Sequence, residues 1–291
     1  MIRFSKYLWV YLLVSAIVLV PGVYSLVRFG LRPAIDFTGG TLLEIQFSRD
    51  VPQNIVELVA NKDGLALVSI QKTSSNTYLL RMKPEGSENV AAFQTSLATS
   101  VGEIPEVVRN ETVGPVLGKE LLQKTLAAAI MAVIGILLYV AWAFKNVRFG
   151  VAAIVALIHD LLVVVGIFSL LGKYAGVEVD TLFVTAILTT MSFSVHDTIV
   201  VFDRIRELLR GKEKGGIAEI SDMALTQTLG RSLANSFTIL FMLLALVLLG
   251  GVTIRWFALA LLIGTISGTY SSPFVATPIL IFWERLAKKQ K

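Results

Sequence analysis

Residues Leu182–Phe202 read LFVTAILTTMSFSVHDTIVVF, a run long enough, at about 1.5 Å per residue, to cross the roughly 30 Å hydrocarbon core of a bilayer. Toward its end the run carries His196 and a carboxylate, Asp197. An Asp at mid-helix costs about 2.5–3.5 kcal/mol to insert, and each Leu, Ile, Phe or Val offsets roughly 0.3–0.6 kcal/mol. Leu182, Phe183, Val184, Ile187, Leu188, Phe193, Val195, Ile199, Val200, Val201 and Phe202 together offset about 3–6 kcal/mol. The segment can therefore span, provided its acid faces a bundle interior or a wet cavity. An ionisable group held there points to function; the competing reading is an Asp packed against nearby Ser or Thr hydroxyls.

Five further apolar runs fall at about Tyr7–Leu26, Leu122–Phe144, Phe149–Leu171, Leu233–Leu249 and Phe257–Phe282. The first exceeds the ~7–15 residues of a signal-peptide core and lacks a small-x-small cleavage pattern, so it reads as a retained anchor. With 55% hydrophobic and 16% charged residues and a mean hydropathy of +0.73 over 291 residues, an ordinary soluble domain is excluded. The net charge of +5, from 26 Lys+Arg against 21 Asp+Glu, flanks the apolar runs and does not form one face. Such basic flanks fit a lipid bilayer and no nucleic acid. The absence of cysteine rules out a disulfide framework, a thiolate metal site and a Cys nucleophile.

One set of loops collects Arg3, Lys6, Lys145, Arg148, Arg204, Arg206, Arg210, Lys212, Lys214, Arg285, Lys288, Lys289 and Lys291. The opposite short loops hold only Lys173 and Arg255, with Arg28, Arg32, Lys119 and Lys124 beside the long polar segment. Basic residues in short loops stay inside, so both termini are expected in the cytoplasm and the polar segment outside. The expected organisation is 1–27, cytoplasmic N-terminus and first span; 28–118, an extracytoplasmic domain; 119–284, five more spans; and 285–291, a basic cytoplasmic tail.

Within the polar segment, Thr41–Phe47 alternates as a strand, Val51–Ala60 and Glu88–Val101 have helical spacing, and Ala66–Gln71 with Thr77–Met82 reads as a hairpin around Ser74–Asn76. Glu106–Thr112 reads as a last strand. The order βαββαβ suits a ferredoxin-like layer with helices on one sheet face. Asp36-Phe37-Thr38-Gly39-Gly40 reads as turn chemistry before the first strand. No catalytic constellation is legible in this domain, and no cofactor site.

A second intramembrane acid, Asp160, lies in the third span, and each acid follows a histidine: His159-Asp160 and His196-Asp197. Adjacent helical residues do not share a face, so neither pair is expected to grip a metal; polar packing or an accessory proton pathway through Asp160, His196 and His159 fits better. Arg231 stands at the opening of the fifth run in Thr226-Gln227-Thr228-Leu229-Gly230-Arg231-Ser232, where its permanent charge could adjust an acid's proton affinity or anchor the helix at the interface. Gly264-Thr265-Ile266-Ser267-Gly268 predicts close helix packing, and Pro273 and Pro278 predict a bend.

Several stretches together resemble the SecF family of the bacterial Sec export machinery, within the RND superfamily: Ile35–Gly40, Arg109-Asn110-Glu111-Thr112-Val113-Gly114-Pro115, and above all Ser194–Glu207 joined to Thr226–Ser232. The resemblance covers nearly the whole chain. It implies a polytopic α-helical membrane protein with six transmembrane helices, one RND half, and a ferredoxin-like βαββαβ domain between the first two. It implies SecD, the SecYEG channel and exported preproteins as partners, a bacterial inner or plasma membrane location, and use of the proton motive force in translocation and release. Asp197 then matches the family's proton-carrying acid and Arg231 its basic partner, while His196 fills a position where relatives often carry Asn. No enzyme activity, metal or cofactor is expected. The alternatives are a proton-coupled RND small-molecule transporter component and, from another class, an intramembrane aspartyl protease, whose Gly-x-Gly-Asp signature is missing here.

Overall fold

The computed structural model describes residues 4–74, 76–144, 146–211 and 215–289. Ser75 of the expected hairpin turn and the basic residues Arg3, Lys145, Lys212, Lys214 and Lys291 lie outside them. The chain divides into two compact units, Pro33–Leu126 and the remainder, Met1–Arg32 with Ala127–Lys291. Helix α1 spans Leu8–Phe29, a short helix α2 Ile35–Thr38, and strand β1 Gly40–Gln46. Then follow α3 (Gln53–Lys62), β2 (Leu67–Ser74), β3 (Thr77–Met82), α4 (Ser87–Val101) and β4 (Glu106–Val113). The rest is helical: α5 (Pro115–Ala143), α6 (Val147–Ala175), α7 (Thr181–Arg210), α8 (Ile217–Leu249), α9 (Val252–Ser271), a π-turn (Ser272–Ala276) and α10 (Thr277–Lys289). Among the described residues six helical segments are long and apolar enough to cross a membrane, α9 and α10 counting as one.

In the soluble unit the sheet order is β2-β3-β1-β4, all antiparallel, as the βαββαβ reading requires. Alternation sends Leu43, Ile45, Phe47, Tyr78, Leu80 and Met82 to one face, against Val56, Val59 and Ala60 of α3 and Val90, Phe93 and Leu97 of α4. The Gly-Gly turn does more than redirect the chain. Gly39 (φ 72°) and Gly40 (φ 136°) occupy backbone conformations that side chains rarely adopt. A Cβ on Gly39 would stand 2.9 Å from the Pro115 Cα, and one on Gly118 2.8 Å from the Gly39 nitrogen. The segments leading into and out of this domain are thus clasped backbone to backbone, beside a hydroxyl pair between Thr41 and Thr112 at 2.9 Å.

The membrane unit is built on two parallel helix pairs held by small residues. In α1 and α6 the contacts keep a constant offset: Ser15 with His159, Gly22 with Gly166, and Ser25 with Ser169. A Cβ on Gly166 would stand 2.8 Å from the Gly22 Cα, so only glycine lets these backbones cross. In α7 and α9 the series is Thr190 with Gly264, Ser194 with Gly268, and Thr198 with Ser272, the small-residue packing that the sequence foretold. Aromatic residues fill the space near the start of α6, where the Phe149 and Phe202 rings meet edge to face at 5.2 Å and Phe144 and Phe202 at 5.6 Å. Much of α5, including Leu126, Ile130, Met131, Leu138 and Trp142, is exposed, as a helix surrounded by lipid can be.

Two expectations shift. Helix α8 begins at Ile217 and not near Leu233, because its polar first half buries Ile220, Ser221, Asp222, Ala224 and Leu225 against the bundle, a stripe that an apolar-run count overlooks. Arg231 is therefore inside a helix instead of at its opening. The proline bend takes the form of the π-turn at Pro273, where the Thr277 hydroxyl donates to the Ser272 carbonyl at 3.0 Å and satisfies one group of a widened turn.

Glu44 of β1 is 2% exposed, and burial pushes its carboxyl above the ordinary range while its register partner Arg109 pulls it back. Because the folded domain holds this proton more tightly than the unfolded chain, the contribution to stability is full below about pH 4.3 and is lost as pH rises through the folded value. Glu44→Gln should raise the protection of the β1 amides at neutral pH and flatten their pH dependence, as read by native-state hydrogen exchange corrected for intrinsic rates.

Candidate functional site

Helix α6 starts on Asn146, whose side chain accepts the Arg148 N–H at 3.0 Å, and α7 starts on Asp180, which accepts the Phe183 N–H at 2.8 Å. These caps fix the two helices that carry the acids. On α6, Asp160 is buried and enclosed by donors. Oδ1 accepts the Ser267 hydroxyl at 2.6 Å and faces His159 Nδ1 at 3.0 Å; Oδ2 accepts the Ser194 and Ser271 hydroxyls, both at 2.6 Å. The other ring nitrogen of His159 pairs with the Ser15 hydroxyl. Four helices, α1, α6, α7 and α9, thus converge on one carboxylate. The contact between His159 and the acid that follows it is polar packing of the kind expected for the His-Asp pairs.

Asp197 has a different setting. It is half-buried, and among the described residues it accepts one long hydrogen bond, from the Ser232 hydroxyl at 3.2 Å. His196 is exposed and lines a groove of about 430 Å³ with Tyr139, Gly135 and Ser192, between α5 and α7. Arg231 is exposed and lines a second groove, of about 570 Å³, with Val200, Asp203, Arg204, Glu207 and Gln227. There Arg204 bonds Gln227 at 2.7 Å and Glu207 at 2.5 Å. Among the described residues Arg231 makes no hydrogen bond or ion pair with Asp197; its neighbour Ser232 makes that contact. The structure thus joins His159 with Asp160, places Arg231 beside the turn that carries Asp197, and keeps His196 apart from both.

Sequence reasoning missed Asp222. It is 2% exposed and accepts both the backbone N–H of Ser5 at 2.8 Å and its hydroxyl at 2.7 Å, fastening the N-terminal turn to α8. The available signal was the amphipathic spacing of the segment before Leu233. Among the described residues no group of three or more His, Asp or Glu side chains is placed to hold a metal ion.

Chemically the two acids differ in freedom. Asp160 is held in one position by three serine hydroxyls from two other helices and by its own neighbour His159. A half-buried carboxylate with one weak partner, one turn from a polar groove, can exchange protons with little rearrangement.

The comparisons with known proteins bear on the same stretches. Residues 93–286 match the family described as protein export membrane protein SecD/SecF, C-terminal, and residues 24–51, which contain the Gly-Gly clasp, match the SecD/SecF GG motif. The protein translocase subunit SecF of Thermobaculum terrenum is 44% identical over 98% of this chain and 94% of its own length. This chain belongs to the SecF family. The SecF of Anaerolinea thermophila is 38% identical over 95% of this chain and 92% of its own. Among solved structures, SecDF, a translocon-associated membrane protein from Thermus thermophilus, superposes with a TM-score of 0.86 at 31% identity, covering 98% of this chain. The chain spans 39% of that longer SecDF chain. SecDF in a super-membrane-facing form matches with a TM-score of 0.63 at 30% identity. As a SecF-family chain with six apolar helices, this protein is a multi-pass membrane subunit of Sec protein export.

Interhelical hydrogen bonds in membrane proteins average ~0.6 kcal/mol each, so the three serine hydroxyls that donate to Asp160 amount to roughly 2 kcal/mol. Asp160→Ala should lower unfolding stability in detergent by about that much, whereas Asp197→Ala should cost under about 1 kcal/mol.

Proposed function

We propose that this chain joins a SecD partner beside the SecYEG channel and uses the proton motive force to assist translocation and release of exported proteins. In this reading Asp197 takes up and releases the proton, and Arg231 adjusts its affinity from the adjoining groove. The observation that carries it is the loose setting of Asp197: half-buried, held among the described residues by the Ser232 hydroxyl alone, and one turn from Val200, which lines a polar groove with Arg231. One charge crossing 100 mV is worth about 2.3 kcal/mol, comparable to the few kcal/mol between conformers of a switching protein. His196, open to its own groove, is an accessory group, as is the His159–Asp160 pair if a proton ever enters it. A protease would need two carboxylates sharing one water, and the donors around Asp160 oppose that arrangement.

Asp197→Asn keeps shape and removes titration, so copurification with SecD should survive while gradient-dependent stimulation of export in vesicles disappears. Full stimulation by this variant would overturn the assignment. Arg231→Lys should retain only part of the activity, because an ammonium does not reproduce the planar fork of a guanidinium.

Both termini are placed in the cytoplasm and the soluble domain outside, on the basis of the basic loops. In this cysteine-free chain, single cysteines at the exposed Ile104 and Tyr174 should react with an impermeant thiol reagent from outside, and one at Arg210 only after permeabilisation. The opposite pattern would reverse the orientation.

A further inference from the structure

The loose acid sits between two tight contacts on its own helix. One turn before Asp197, Ser194 donates to Asp160 at 2.6 Å. At the next residue, the Thr198 hydroxyl meets the Ser272 hydroxyl at 2.9 Å, and both Thr198 and Ser272 are buried. Ser272 opens the π-turn that contains Pro273, and the residue before it, Ser271, also donates to Asp160 at 2.6 Å. The same stretch of α7 is thus stitched twice to the junction of α9 and α10, on either side of the residue that would titrate. No backbone hydrogen bond can come from Pro273, and a π-turn holds one more residue than the α-helical ladder accommodates, so this junction can change register more cheaply than the helix on either side. Asp160 is suited to be the fixed end of the linkage, since three serine hydroxyls from α7 and α9 donate to it.

We infer that Thr198, Ser272 and Asp160 are positioning residues that tie the helix bearing Asp197 to the π-turn at Pro273, so that movement of α7 on proton exchange passes into α9 and α10. This linkage rests on the reading of Asp197 as the proton carrier. Other titratable or charged groups on the helices around α7 are Arg148, His159, Asp160, Lys173 and Tyr174 on α6, Glu219, Asp222 and Arg231 on α8, Arg255 and Tyr270 on α9, and Lys119, Glu120, Lys124 and Tyr139 on α5. On α7 itself stand His196, Asp203, Arg204, Arg206, Glu207 and Arg210. The assignment of any pH response to Asp197 therefore needs its own variant.

The test uses the full chain with its SecD in liposomes. Hydrogen exchange over the π-turn is compared at mildly acidic and mildly alkaline pH, corrected for intrinsic rates, and a hydrophobic carbodiimide marks carboxyls that carry a proton. In the wild type the π-turn amides should exchange differently at the two pH values, and the carbodiimide should modify Asp197 and leave Asp160 untouched. Thr198→Val should lose the pH difference while Asp197 still reacts, and Thr198→Ser should restore it; Ser272→Ala repeats the test from the other side of the pair. Merely structural hydroxyls would lower protection equally at both pH values. Retention of the pH difference in both Thr198→Val and Ser272→Ala, together with its loss in Asp197→Asn, would overturn the linkage and leave the carrier reading standing. Retention in Asp197→Asn would remove the carrier reading and the linkage with it, and carbodiimide modification of Asp160 would remove Asp160 as the fixed end.

Discussion

A carboxylate surrounded by hydrocarbon has to find its hydrogen bonds within the protein, and the helices that supply them are drawn to one point. Asp160 does this for the membrane unit: Ser194, Ser267 and Ser271 donate to it, and His159 joins it to Ser15. Lipid tails are as apolar as leucine, so no hydrophobic difference presses these helices together. Close backbone contact and shared hydroxyls take its place. The Gly22–Gly166 crossing and the Gly264, Gly268 and Ser272 seam bring the backbones near enough for short serine side chains to reach the acid. Larger residues at those positions would move every donor out of range.

This arrangement divides the two intramembrane acids by their surroundings. Asp160 is enclosed by three serine hydroxyls and His159. Asp197, on the neighbouring helix, has among the described residues one long contact, to Ser232, and stands one turn from Val200, which lines a polar groove. A proton carrier needs that looseness, because it must exist in two charge states without dismantling its surroundings. The proposed linkage sets the loosely held acid beside the enclosed one, with the hydroxyl pair of Thr198 and Ser272 between α7 and the π-turn.

The soluble unit solves a separate problem with the same means. A domain inserted between two spans must start and finish at neighbouring points, and the Gly39–Gly40 turn against Pro115 and Gly118 brings its ends together. The reading of those glycines as turn residues was right as far as local sequence reaches. Their second role needs the start of α5, nearly eighty residues further along the chain, which no local pattern reports.

Spans, strands and the βαββαβ order were legible because they follow from periodicity and length, properties that each segment carries alone. The acids at positions 160 and 197 stood out because a charge within an apolar run is costly wherever it points. Hydropathy and spacing could not tell the two apart; only the family resemblance singled out Asp197. Ser194, Ser267 and Ser271 are ordinary small residues until packing aims three hydroxyls at one carboxylate. The polar half of α8 hid both Asp222 and the true setting of Arg231, since a helix that buries one stripe of mixed residues does not register as an apolar run. Sequence by itself determined which segments enter the membrane and which residues are expensive there. Tertiary structure alone decided which of those residues is sealed and which is free, because hydrogen-bond partners are supplied by helices far apart in the chain.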